Sequence, residues 1–317
     1  MALLKSMKKQ RTQNILEYLH NNKSSGLDSM GEKMMHITDL GGHSGCKILL
    51  CETDDNNVFV RKISSSHKYN DRLRVQAKKQ KKFKSKQVKA PAILNQGETE
   101  EGLFFFDMEY ISGITLAEYI KTIEIGKVRN LVETLIDDVA SMERNDINID
   151  TEAVFQEKIA SLKKQLLPLS NHVVNEALIL LESHLWNGIA QTSCHGDLTL
   201  ENIIVKDNQL YLIDFLDSFY DSWILDIGTL LQDVQTLWSY RFEEDININT
   251  LIRLIVFRDI LLDYIRDKNE EMVLEVYYSL LLKLIRIFPY TKDERTYKFL
   301  TEKTNTIIDL IKQEMKR

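Results

Sequence analysis

Asp197 and Asn202 stand five positions apart in His195-Gly196-Asp197-Leu198-Thr199-Leu200-Glu201-Asn202, and Asp214 follows twelve positions later in Leu212-Ile213-Asp214-Phe215. Two carboxylates and an amide so spaced offer one proton acceptor and two hard oxygen donors. That set suits phosphoryl transfer, which needs little covalent help but needs charge neutralised and an alcohol aimed at the terminal phosphate. Asp197 can accept the alcohol proton, while Asn202 and Asp214 can hold Mg²⁺. The plainer reading makes His-Gly-Asp a turn and Leu-Ile-Asp a buried strand. Finding both motifs in this order argues against it.

Such groups must be positioned by the chain around them. The apolar runs Ile203-Ile204-Val205 and Leu210-Tyr211-Leu212-Ile213 flank the turn-prone Lys206-Asp207-Asn208-Gln209. This pattern predicts a short hairpin that folds Asp214 back beside Asn202. Residues 4–21 read as an amphipathic helix carrying Ile15, Leu16 and Leu19, followed by a linker that completes a segment 1–30. From 31 to 110 the pattern is β-rich with one basic helix. Asp54-Asp55-Asn56-Asn57 marks a hairpin, and Leu103–Tyr110 closes the region as a strand. From 111 to 317 it is mainly helical, with helices expected over 115–145, 151–166, 171–188, 223–240, 250–266, 270–287 and 293–315. The three prolines, at 91, 168 and 289, fall near inferred boundaries.

The small β-rich part carries features suited to a nucleotide. Gly41-Gly42-His43-Ser44-Gly45 precedes a strand, and its backbone N–H groups can cradle phosphates, although glycine clusters alone usually mark turns. Lys62 ends Val58-Phe59-Val60-Arg61-Lys62-Ile63 and shares the face of Val58 and Val60, so its ammonium sits on an otherwise apolar face. Arg61 points the other way. Met108-Glu109-Tyr110-Ile111 leads into Ser112-Gly113, where extended backbone can read an adenine edge.

Bulk composition bounds the rest. The chain has 317 residues, 44% hydrophobic and 28% charged, enough for two lobes with a sizeable core. The net charge of −6 speaks against a nucleic-acid coat. The lysines at 78, 79, 81, 82, 84, 86 and 89 fit a solvated helix face better than a nucleic-acid patch, since Phe83 alone interleaves them. Three cysteines, 46, 51 and 194, an odd and sparse set, suggest a reducing compartment and no disulfide framework. There is no apolar run of membrane-spanning length and no secretory-type N-terminal stretch, so a cytoplasmic location is expected.

Together these residues resemble the aminoglycoside phosphotransferase and choline kinase family. The resemblance spans about residues 35 to 290, with its specific motifs at 195–202 and 212–217. It implies an α+β, two-lobed protein-kinase-like fold: a small antiparallel β-rich N-lobe over 31–110 and a larger, mainly helical C-lobe over 111–317. It also implies ATP and Mg²⁺ as cofactors and a small-molecule hydroxyl acceptor such as a sugar, an amino alcohol or an aminoglycoside-like compound. Position by position, Asp197 matches the catalytic base and His195 its loop-supporting histidine. Asn202 and Asp214 match the metal ligands, Lys62 the phosphate-contacting lysine, and Ser44 and Gly45 the nucleotide loop. Glu109, Tyr110 and Ile111 fall at the adenine hinge, and Asp226 matches an aspartate that braces the catalytic loop. Two departures stand out. Asp214 is followed by Phe215-Leu216 without the glycine of the protein-kinase D-F-G, and no carboxylate partner for Lys62 is evident, with Gln76 and Asp71 the nearest candidates.

Other residues carry weaker signals. Asp217 and Asp221 follow the metal ligand and suit a second ion or the acceptor; solvated loop aspartates are the alternative. Trp238 and Tyr240 can wall a sugar or cationic group. Arg286 and Arg295 suit either acidic helices or an anionic substrate, and the sequence leaves this open. Cys194 beside His195 is expected to be buried rather than nucleophilic. No obligate protein partner is inferred. An atypical protein kinase and a nucleotide-binding pseudokinase acting as a partner-binding module are the rival readings.

Overall fold

The computed structural model describes residues 26–27, 33–41, 45–141 and 149–317. The helix expected over 4–21 and the candidate Ser44 lie outside them. The chain forms two compact units. The first comprises the described residues up to Lys82 together with Ala90–Ser112, and the second comprises Phe83–Lys89 and Gly113–Arg317.

The first unit is a six-stranded antiparallel sheet of β1 (Gly26–Leu27), β2 (Lys33–Asp39), β3 (Lys47–Thr53), β4 (Val58–Ile63), β5 (Ile93–Glu98) and β6 (Phe104–Glu109), in the order β1-β2-β3-β4-β6-β5. The β3–β4 hairpin turns through Asp54–Asn57, where Asn56 adopts φ 60° and the Asn57 N–H donates to Thr53 Oγ1 at 3.3 Å. Helix α1 (Asn70–Lys82) buries Leu73, Gln76, Ala77 and Gln80. These recur at three- and four-residue steps, one face of a helix. Its apolar members pack with Val60, Phe104, Phe106 and Met108, whereas the lysines at 78, 81 and 82 stay exposed. Burial of that stripe holds the helix, because its lysine-rich remainder would gain little from propensity alone.

The second unit is mainly helical: α2 (Ile125–Ala140), α3 (Thr151–Leu166), α4 (His172–Ser183), α5 (Trp223–Thr236), α6 (Ile248–Lys268), α7 (Glu271–Ile285) and α8 (Glu294–Glu314). Asp150, Asn171, Asn247 and Asp293 cap α3, α4, α6 and α8 through side-chain oxygens, each accepting a backbone N–H of the first turn. A three-stranded antiparallel sheet, β7 (Ile114–Thr115), β8 (Ile203–Lys206) and β9 (Gln209–Leu212), interrupts the helices.

Three expected helices are shorter than their apolar patterns, the 171–188 pattern ending at Ser183. The 115–145 pattern yields a single turn at Leu116–Tyr119 and then α2, because buried Ile120 and Ile123 anchor a non-helical link. The 223–240 pattern stops at Thr236, where Leu237 adopts φ 63°. There the Asp233 carboxylate accepts the N–H and hydroxyl of Ser239 at 2.9 and 2.6 Å, pulling the chain off the helix axis.

Helix α5 is buried on nearly every side, and α7 packs against it. Gly228 permits this approach: a Cβ there would lie 2.4 Å from Ser279 Oγ and 3.2 Å from the Leu280 nitrogen. The segment 83–89 is fastened to the second unit at both ends. Asp138 on α2 accepts the N–H groups of Gln87 and Val88 at 2.7 and 2.6 Å. Lys89 exchanges backbone hydrogen bonds with Leu210 and Leu212 on β9, at 2.9 and 2.7 Å.

Candidate active site

The second unit assembles the acid–base and oxygen-donor groups from one loop and one hairpin. Register pairs Ile203 with Leu212, and Ile213 N–H donates to the Asn202 carbonyl at 3.0 Å, so Asp214 returns beside Asn202 as expected. Asp207 and Asn208, both at positive φ, make the turn. Asp214 itself adopts φ 60°, a left-handed conformation that Asp tolerates and that re-aims its carboxylate as the strand ends.

Asn202 Nδ2 donates to the Asp197 carbonyl at 2.9 Å and lies 3.3 Å from its carboxylate Oδ2. With the amide nitrogen engaged there, its Oδ1 is the atom left to act as a ligand. Asn202 and Asp214 thus fit Mg²⁺, which takes one or two protein oxygens and completes its shell with water and phosphate. Among the described residues no three His, Cys, Asp or Glu form a self-sufficient metal cage.

Three buried side chains hold this loop. His195 is fully buried; its Nε2–H donates to the Ile213 carbonyl at 2.7 Å and its Nδ1 accepts the Asp197 N–H at 3.2 Å. These partners require a neutral imidazole, and burial lowers its pKa accordingly. His195 therefore ties the segment before Asp214 to the Asp197 backbone. Asp226, on the first turn of α5, accepts the N–H groups of His195 and Gly196 at 2.6 and 2.8 Å. Burial raises its pKa, opposed by the groups around it. Asp233, two turns further along the same helix, accepts the Leu200 N–H at 2.6 Å. Gly196 has φ +94°, and a Cβ there would meet Leu216 O at 2.6 Å and Ser218 Oγ at 2.7 Å. Only glycine fits where the two segments approach so closely.

Asp233 and Lys283 escape sequence reasoning. A carboxylate seven residues after Asp226 on an otherwise uncharged helix is the available signal for the first. Lys283 donates to the Gly196 carbonyl at 3.0 Å, and nothing in its local pattern marks it.

The remaining second-unit candidates divide. Cys194 is buried and its thiol donates to Asp221 at 3.2 Å, while Thr192 N–H donates to the Asp221 carbonyl at 3.0 Å. Asp217 and Asp221 are half-buried. Trp238 is covered by the Arg241 guanidinium, 4.1 Å from its ring centroid. Tyr240 is 2% exposed, with its hydroxyl donating to Ala117 O at 2.7 Å, so its ring is a packing element and offers no face to an acceptor.

In the first unit, Lys62 is buried and its Nζ lies 3.3 Å from Gln76 Oε1. Gln76 Nε2 in turn donates to the Tyr69 hydroxyl at 3.1 Å. Of the two nearby candidates, Gln76 on α1 is the one that meets Lys62, and Asp71 is exposed. Arg61, on the opposite face, forms a buried bidentate pair with Asp107 at 2.6 and 2.8 Å. Gly45 adopts φ 76° just before β3. Glu109 N–H donates to the Ala92 carbonyl at 2.9 Å, so its amide serves the sheet; Tyr110 is exposed and Ile111 is buried.

An antiparallel sheet followed by a mainly helical region, with a braced His-x-Asp loop and an aspartate after a hairpin, defines a protein-kinase-like fold. Solved structures share it. A thermostable mutant of aminoglycoside phosphotransferase APH(4)-Ia, in ternary complex with AMP-PNP and hygromycin B, superposes with a TM-score of 0.56 at 13% identity, over 89% of this chain and 95% of that one. A putative fructosamine-3-kinase from Thermobifida fusca gives 0.55 at 12% identity, over 88% and 95%. The amicoumacin kinase hAmiN, in complex with AMP-PNP, Ca²⁺ and Ami, gives 0.50 at 13% identity, over 96% of each chain. No curated protein matches the chain by sequence. The profile of the phosphotransferase enzyme family matches residues 47–253, and the chain belongs to that family. It is a small-molecule kinase, and the family uses ATP with a divalent metal.

Proposed function

We propose that Asp197 is the catalytic base of an ATP- and Mg²⁺-dependent transfer of the γ-phosphoryl group to a small-molecule hydroxyl. The observation that carries this reading is the hydrogen-bonded pairing of Asn202 with Asp197, beside a hairpin that returns Asp214. Asp197 orients the acceptor hydroxyl and takes its proton as the oxygen attacks phosphorus. Asn202 Oδ1 and the Asp214 carboxylate are the metal ligands. When bound, Mg²⁺ neutralises charge on the β- and γ-phosphates. Lys62 contacts the nucleotide phosphates, and the backbone of Glu109–Ile111 holds adenine.

His195, Asp226 and Asp233 are positioning residues, acting through the backbone of the loop. Their hydrogen bonds fix where the Asp197 carboxylate points before substrate arrives, which is the main protein contribution to this chemistry. Asp217 and Asp221 remain candidate acceptor contacts. Among the described residues no helix is long and apolar enough to cross a membrane. A cytoplasmic enzyme is the reading that this and the three thiols support.

The test is a coupled ADP-release assay over neutral sugars, amino alcohols, aminoglycosides and hydroxy acids, with wild type and Asp197→Ala. Acceptor-dependent ADP release by wild type alone is expected. Equal release by both proteins contradicts the role of Asp197.

A further inference from the structure

A small cleft, partly open to solvent, lies in the second unit beside the loop that carries Asp197. Its walls include Lys158 from α3, Gly196, Ser218 and Phe219, and Lys283 and Arg286 from the end of α7. Three cationic side chains therefore line one small space. Lys283 is 7% exposed and makes one hydrogen bond among the described residues, to the Gly196 carbonyl. Arg286 is half-buried, and neither residue has a carboxylate at ion-pair distance among the described residues. Ser279 Oγ, also on the wall, is buried without a hydrogen-bond partner.

Two cations without carboxylate partners, one of them buried, are costly unless an anion is drawn in. Burial and the charge of Arg286 push Lys283 down to about 8, and the opposing charges of Asp197 and Asp226 offset this only in part. The cleft also abuts the residue immediately before Asp197. A ligand anchored there by an acidic group is held next to the base.

We propose that this cleft is the acceptor's anion subsite, and that the acceptor is a hydroxyl compound bearing a carboxylate or phosphate group. The proposal rests on the role given to Asp197 above for its catalytic meaning, but the binding itself does not. Arg286 supplies the planar fork that pairs with either oxyanion, Lys283 and Lys158 supply charge, and Phe219 covers the carbon skeleton. A polycationic acceptor is repelled by the same wall.

Isothermal titration of the full chain with glycerate, glycerol 3-phosphate and glycerol, with and without AMP-PNP and Mg²⁺, tests it. At least one anionic probe is expected to bind about tenfold or more tightly than glycerol, and Arg286→Gln to weaken that probe by roughly tenfold. Arg295→Gln, an exposed arginine on α8, should bind as wild type does. Lys158→Gln gives an independent loss should the Arg286 variant fold poorly. Preference for glycerate identifies a carboxylate, and preference for glycerol 3-phosphate a phosphate. Equal binding of all three probes, or wild-type binding by both Arg286→Gln and Lys158→Gln, overturns the proposal. Anion binding without acceptor-dependent ADP release would instead leave the subsite standing and contradict the kinase role of Asp197.

Discussion

Asn202 Nδ2 donates to the main-chain carbonyl of Asp197 at 2.9 Å, so the candidate metal ligand and the candidate base are fixed to each other before any substrate binds. The same nitrogen lies 3.3 Å from the Asp197 carboxylate. Replacing Asn202 by Ala removes a metal oxygen and the clamp together. Turnover should fall by roughly a hundredfold or more, with a higher Mg²⁺ concentration needed for half-maximal rate. Steady-state rates across a Mg²⁺ titration measure both, and an unchanged Mg²⁺ requirement contradicts the assignment.

Lys62 and Gln76 give a second prediction. Their buried contact at 3.3 Å pairs an ammonium with an amide oxygen, a weaker hold than a carboxylate provides. Gln76→Ala should raise KM for ATP several-fold and also lower the melting temperature, because it empties a buried position and removes a partner of a buried ammonium. Gln76→Glu should leave that KM equal or lower. A Gln76→Ala enzyme with wild-type KM would show that this pair does not set the lysine.

Gly196 tests the loop itself. An alanine Cβ would stand 2.6 Å from Leu216 O, at φ +94°, so the loop and the segment after Asp214 must part. Gly196→Ala should lose about 2 kcal/mol or more of stability and most activity. Urea denaturation reads the first. Wild-type stability with full activity is the contrary result.

Much of this arrangement is legible in residue order, and the exceptions have physical reasons. The Asp207-Asn208 turn and its flanking apolar runs predict the hairpin because both residues tolerate positive φ, and the hairpin alone brings Asp214 to Asn202. Lys62 follows from strand alternation with Val60. By contrast, Lys283, Asp138 and Asp233 act on backbone groups dozens of residues away, and sequence pattern carries no signal for such partners. Tyr240 illustrates the opposite error. An aromatic near the site suggests a substrate wall, but its hydroxyl meets the Ala117 carbonyl inside the core. Periodicity overstates the helix after Thr236 because it is blind to a side chain that captures the next turn's donors.

Asp233 predicts a pH dependence. Burial raises its pKa from 3.8 to about 6, so between those values the folded chain holds a proton that the unfolded chain has released. The resulting stability is complete below the lower value and is lost as pH rises through the upper one. From pH 5 to pH 7 this group should remove roughly 1 kcal/mol. Denaturation at the two pH values should show a smaller decline, or none, in Asp233→Asn. Parallel declines in both proteins contradict the shift.

The base assignment is tested most directly by comparing Asp197→Ala with wild type for both AMP-PNP affinity and acceptor-dependent ADP release. Nucleotide affinity within about threefold of wild type, with turnover lowered by a thousandfold or more, is the predicted pattern. Comparable turnover by the two proteins would contradict the assignment of Asp197 as the base.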